Sequence, residues 1–178
     1  MPACNPATMS GMTRETQTLT VLFADITESS RLYHQLGDSA ARGVINTCLS
    51  MLAALLPRFD GRLVKTLGDA IMCVFPDAGA AVGAATEMQA AVSAGQAGEH
   101  PLRIHIGLHA GPVLVEDNDV FGDTVNAAAF LTNVAMADQI LLSDVTEREL
   151  PASLKATVRI YPALPAPFAL MYRRAPSV

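Results

Sequence analysis

The spacing of apolar and polar positions changes several times along the chain, and the changes mark its elements. Leu19-Thr20-Val21-Leu22-Phe23-Ala24-Asp25-Ile26 is a short β-branched and apolar run, the pattern of a buried strand. Thr27-Glu28-Ser29-Ser30 then offers capping residues for a short helix that ends at Gly37. From Asp38 to about Phe59 the apolar positions Val44, Cys48, Leu52 and Leu55 recur at three and four residue intervals, with Ile45, Leu49 and Leu56 beside them. That stripe predicts a helix stopped near Pro57 and Gly61. Two strands follow at 62–66 and 70–75, and the tight turn Leu67-Gly68-Asp69 makes them an antiparallel hairpin. Asp77 opens an Ala-rich helix to about Gly95. Residues 102–109 alternate, Ile104, Ile106 and Leu108 on one face and Arg103, His105 and His109 on the other. A further strand at 112–115, a helix at 123–135 and a strand at 139–142 come next, with 157–161 and 168–172 as a terminal antiparallel pair.

That order predicts an α/β (α+β) domain with a ferredoxin-like core. It is a split β-α-β arrangement with helices on one face of a mainly antiparallel sheet. At 178 residues the chain has length for one domain, expected over 18–174, with 1–17 as a flexible leader and 175–178 as a tail. A formal charge of −5 argues against a general nucleic-acid binder, whose phosphate contacts need a basic face. It leaves a nucleotide open, because a bound Mg²⁺ supplies positive charge locally. Cys4, Cys48 and Cys73 form no CxxC pair, so neither zinc nor a disulfide framework is indicated. No secretory h-region and no run of 18 apolar residues is seen, so the expectation is a cytoplasmic protein with no membrane span.

Two carboxylates are the first candidates for chemistry. Asp25 ends the first strand before a helix N-terminus, and Asp69 lies in the hairpin turn. If strand and hairpin are neighbours, both meet at one sheet edge, where a pair of Asp beside a helix N-terminus can hold Mg²⁺ and a polyphosphate. A helix cap and an ordinary turn residue are the alternative. His105 and His109, four residues apart on one strand face, lack an evident third ligand and read as structural or interface histidines.

Four strings then occur in order: Phe23-Ala24-Asp25-Ile26, Lys65-Thr66-Leu67-Gly68-Asp69-Ala70-Ile71-Met72, His105-Ile106-Gly107-Leu108-His109-Ala110-Gly111, and Asp119-Val120-Phe121-Gly122-Asp123-Thr124-Val125-Asn126. Together they resemble the class III adenylate and guanylate cyclase catalytic domain from about residue 18 to 173. The resemblance implies the class III nucleotidyl cyclase fold and two Mg²⁺ or Mn²⁺ ions on Asp25 and Asp69. It also implies a phosphate loop at Ile26, Thr27, Glu28 and Ser29, purine reading by Lys65 and Asp119, and a ribose contact at Asn126. Lys65 suits adenine N1 and Asp119 the 6-amino group, so ATP is the expected substrate and 3′,5′-cyclic AMP with pyrophosphate the product. The family's sites form between two chains arranged head to tail, so a homodimer is implied, and a heterodimer with a complete cyclase is a second arrangement.

Three positions depart from the family's pattern. Phe130 stands where the family has a transition-state arginine, and a lost donor of that kind typically costs about 100-fold to 1,000-fold in rate. Pro162 replaces a phosphate-binding lysine, with Lys155, Arg159 and Arg173 as candidate substitutes. Glu28 replaces a glycine of the phosphate loop and opposes an incoming polyphosphate. These departures predict weak turnover. The alternative they raise is a degenerate cyclase domain that binds nucleotide or dimerises as a regulatory module.

Overall fold

The computed structural model describes residues 14–95, 97–161 and 170–174, so the start of the chain, Pro162 and the tail lie outside the described residues. Strand β1 spans Glu15–Ile26 and is longer than its apolar run. It pairs antiparallel with β4 (Ile104–Glu116) over its whole length, from Glu15 opposite Val115 to Ile26 opposite Ile104. Residues 15–17, assigned to the leader on sequence, are therefore strand: a long partner supplies the ladder that their own polarity does not advertise.

β4 is itself one strand where the sequence suggests two. The parallel partner β6 (Gln139–Leu142) pairs only with Ile106, Gly107 and Leu108. Pro112 thus lies beyond β6, where a strand tolerates proline because one edge needs no ladder bond. After Glu116 the chain reverses through Asp117 and Asn118, both at positive φ (47° and 67°), into the short strand β5 (Asp119–Phe121). Two central residues at positive φ make the tight hairpin turn that matches strand twist.

Strands β2 (Arg62–Leu67) and β3 (Ala70–Phe75) form the expected hairpin, with Gly68 at φ 66° as the first residue of its two-residue turn. β7 (Arg159–Tyr161) and β8 (Leu170–Arg174) pair antiparallel near the chain's end. The sheet order is β2-β3-β1-β4-β6-β8-β7, with β5 attached to β4. Its first four strands have the ferredoxin-like order, β3 lying between β1 and β2 to give the split β-α-β unit.

Helices cover both faces, which corrects the one-face expectation. Leu22, Ala24, Ile26, Ile71, Cys73, Ile104, Ile106 and Leu108 pack beneath α2 (Asp38–Leu55) and α3 (Ala78–Ser93) in the main core. Val21, Phe23, Met72, Val74, Val113 and Val120 point the other way and pack with Ala128 of α4 (Asp123–Val134). Two glycines of β4 let α4 approach: a Cβ at Gly107 would stand 2.7 Å from the Ala128 carbonyl oxygen, and one at Gly111 2.6 Å from Thr124 Oγ1.

Asp38–Phe59, with mean hydropathy 1.4, is long and apolar enough by composition to cross a membrane. Its stripe Ala41, Ile45, Cys48, Leu49 and Leu52 is instead buried against the sheet. Short helices α5 (Asp144–Glu149) and α6 (Ala152–Lys155) complete the chain's second half, and α1 (Ser29–Leu36) follows β1 directly. The sequence pattern did not reveal α5 or α6, which are too short to show a helical period.

Candidate active site

Asp25 sits opposite Ala70 on β3 and His105 on β4, so Asp69 is one register step from it. The Ile26 N–H donates to the Asp69 carbonyl at 3.2 Å, tying the end of β1 to the hairpin turn. The Ser29 hydroxyl, at the start of α1, donates to Asp69 Oδ2. Asp25 does not cap α1: the residue at that position is Glu28, in left-handed backbone at φ 57° and ψ 33° with no side-chain cap bond. Glu28 Oε2 lies 3.6 Å from Arg31 in an exposed pair. Asp25, Asp69, Ile26, Thr27, Glu28 and Ser29 thus gather at one end of β1, as the sequence led one to expect.

The donor set at this edge fits a hard divalent cation. Among the described residues neither Asp25 nor Asp69 forms an ion pair with Lys or Arg. Two such carboxylates a register step apart repel each other, and a cation relieves that. No group of three or more His, Cys, Asp or Glu gathers to hold a metal among those residues. Two carboxylates completed by water and substrate phosphates is the ligand pattern of Mg²⁺ rather than of an all-protein cage.

His105 and His109 each have separate partners. His105 Nε2 is 3.6 Å from Asp25 Oδ2, and its Nδ1 is 3.1 Å from Thr27 Oγ1. His109 Nδ1 lies 2.6 Å from Ser143 Oγ, and burial pushes the His109 imidazole pKa down while Asp144 and Glu149 oppose that shift.

Lys65 and Asp119 come together across the curled sheet. A register shift between Leu63 and Lys65 places Lys65 opposite Met72, on the face that carries Phe23 and α4. Its Nζ donates to both Asp119 oxygens, at 2.6 and 2.9 Å, and lies 5.8 Å from the Phe121 ring centroid. That hydrogen bond to Lys65 holds the Asp119 carboxyl below the usual carboxylate range, aided by the Val120 N–H. Lys65 is therefore an ion-paired strand residue, its side chain still 39% exposed. With three donors on the ammonium and four lone-pair sites on the carboxylate, both keep capacity for a ligand. Phe121 beside them was not singled out on sequence, since a β5 of three residues carries too little pattern to place it.

Asn126 and Phe130, one helical turn apart on α4, are both exposed, Phe130 to 39%. They line a groove of about 800 Å³ with Pro112, Thr124, Ser143 and Val145, and no Lys or Arg is among its lining residues. Asp69 instead lines a different groove, with Tyr33, Arg42 and Thr66. One chain therefore unites the two aspartates, and separately Lys65 with Asp119, but leaves Asn126 in a groove of its own. Of the proposed phosphate substitutes, Lys155 donates to the Arg148 carbonyl and Arg159 is exposed on β7. The side chain of Arg173 lies outside the described residues.

Residues 12–161 match the family described as the adenylate and guanylate cyclase catalytic domain, and the chain belongs to that class III cyclase family. It is 33% identical to an adenylate cyclase of Streptomyces coelicolor over 132 residues, 74% of this chain and 34% of that protein. It is 32% identical to an adenylate cyclase of Streptomyces griseus over 130 residues, 73% of this chain and 32% of the other. The chain thus spans about a third of the length of these curated relatives. Among solved structures, the adenylyl cyclase CyaB of P. aeruginosa superposes with a TM-score of 0.76 at 22% identity, over 94% of this chain and 98% of that one. The catalytic core of a rhodopsin-guanylyl cyclase with converted specificity, in complex with ATPalphaS, gives 0.75 at 24% identity, over 90% and 97%. These likenesses establish the fold.

Proposed function

We propose that this domain converts ATP to 3′,5′-cyclic AMP and pyrophosphate, in the cytoplasm, as a head-to-tail pair of chains. The observation that carries the reading is the adjacency of Asp25 and Asp69 at the end of β1, free of Lys and Arg ion pairs among the described residues. Asp25 and Asp69 would hold two Mg²⁺ or Mn²⁺, which when bound would supply the charge that acidifies the ribose 3′-hydroxyl and offsets the phosphate charge. The 3′-oxygen then bonds to the α-phosphorus, the bond to the β-phosphate oxygen breaks, and the hydroxyl proton passes to solvent.

The chain's own residues bind and orient the nucleotide. The backbone N–H groups at the start of α1 face the phosphates, while the Ser29 hydroxyl holds Asp69. Lys65 donates to adenine N1 and Asp119 accepts from the 6-amino group. Guanine, with a donor at N1 and an acceptor at C6, mismatches both. Asn126 of the second chain aligns the ribose hydroxyl, a positioning effect. Phe130 brings no charge to the transition state, so the rate is low.

The test is cyclic AMP formation from Mn²⁺-ATP by the wild type, Asp25→Ala and Phe130→Arg. We expect slow wild-type turnover, none above background from Asp25→Ala, and a gain on the order of 100-fold from Phe130→Arg. Equal turnover by wild type and Asp25→Ala would sink the reading. A heterodimer with an arginine-bearing cyclase chain is the outcome indicated if the wild type gains activity only on mixing with such a chain.

A further inference from the structure

A carboxylate that binds a cation through one oxygen must have its plane held, or it loses affinity to rotation about its own bond. Asp25 accepts no backbone or hydroxyl hydrogen bond from the described residues, so something else must orient it. His105 faces it directly across the β1–β4 ladder. The imidazole side chain is only 18% exposed, and its Nε2 stands 3.6 Å from Asp25 Oδ2. The ring is itself fixed at its far side, where Thr27 Oγ1 lies 3.1 Å from Nδ1. Thr27 is anchored in turn, its N–H donating to the Arg103 carbonyl at 2.8 Å.

Thr27 Oγ1, at 3.1 Å, is within hydrogen-bond reach of Nδ1, while the 3.6 Å from Nε2 to Asp25 Oδ2 is an electrostatic and packing contact longer than a hydrogen bond. We propose that His105 is a positioning residue for Asp25: held by Thr27, its imidazole stands with Nε2 against Oδ2 and limits the turning of a carboxylate that would hold a divalent cation. The inference rests on the metal reading of Asp25 given above. Partners that orient ligating carboxylates typically change metal affinity by about 10-fold to 100-fold when removed.

Direct Mn²⁺ binding to the full chain, without nucleotide, tests it through the electron paramagnetic resonance of free Mn²⁺. His105→Phe keeps the ring volume but has no donor and should weaken Mn²⁺ binding by about 10-fold or more. His105→Gln, which keeps an N–H donor, should restore affinity to within about 3-fold of wild type, a rescue that a purely packing role does not give. Thr27→Val, which leaves β4 untouched, should weaken binding in the same direction and keeps the test valid should His105→Phe fail to fold. If Asp25→Ala abolishes binding while His105→Phe and Thr27→Val bind like wild type, the positioning role is overturned and the metal reading stands. If wild type and Asp25→Ala bind Mn²⁺ equally poorly, both fall together.

Discussion

Glu28 occupies backbone that an L side chain resists. Its φ of 57° is in the left-handed region, where Cβ crowds the neighbouring carbonyl, and its side chain makes no cap bond in return. The exposed pair with Arg31 returns little, as surface pairs at this spacing do. Glu28→Gly should therefore raise stability by roughly 0.5–1 kcal/mol, read from the urea midpoint, despite glycine's greater freedom in the unfolded chain. The same change removes a negative charge from the proposed phosphate loop, so the apparent KM for Mn²⁺-ATP should fall. A lower midpoint would show that the Glu28 side chain repays its backbone strain. At His109 the folded pKa lies below the ordinary imidazole value of 6.5, because burial disfavours the cation. Between the folded and unfolded values the unfolded chain holds more protons, so folding free energy is fully present above about pH 6.5 and is lost as the pH falls through the folded value. Urea midpoints should be flat above neutrality and decline below it, and His109→Gln should flatten that decline.

At the scale of elements, α4 depends on two glycines of a neighbouring strand. Gly107→Ala would drive a methyl into the Ala128–Thr132 turn of α4 and should cost about 1–3 kcal/mol, measured by denaturation, with the α2–α3 core left intact. The element boundaries explain what was legible beforehand. Alternation at Ile104, Ile106 and Leu108, the stripe of α2 and the turn at Gly68 are local signals, and each element appears where they place it. The N-terminal third of β1, the unbroken run through Pro112 and the turn into β5 depend on which strand lies alongside, and no residue in those segments announces its neighbour. The site divides along the same line. Asp25, Asp69, Lys65 and Asp119 were visible as members of ordered strings. The contact of His105 with Asp25 was not, because it needs β4 to flank β1 in one particular register.

For the molecule as a whole, the placing of Asn126 and Asp69 in different grooves is the informative fact. A site completed by two chains makes each chain's contribution separable by mutation. Take Asp25→Ala and Asn126→Ala, each inactive as a homodimer on the proposed function. In a mixed pair one site combines both lesions, while the other draws Asp25 from one chain and Asn126 from its partner and is intact. With random exchange at equal amounts half the pairs are mixed, so about a quarter of wild-type activity should return. Phe130→Arg in both chains would supply the rate needed to measure it. The returned activity should rise with protein concentration, since dilution dissociates the pairs that hold it. Mixing that restores nothing, with both variants folded and paired by sedimentation, would place the whole site within one chain. The spacing between Asn126 and the aspartates would then have to close by a shift of α4 over the strand face on which Gly107 and Gly111 let it pack closely.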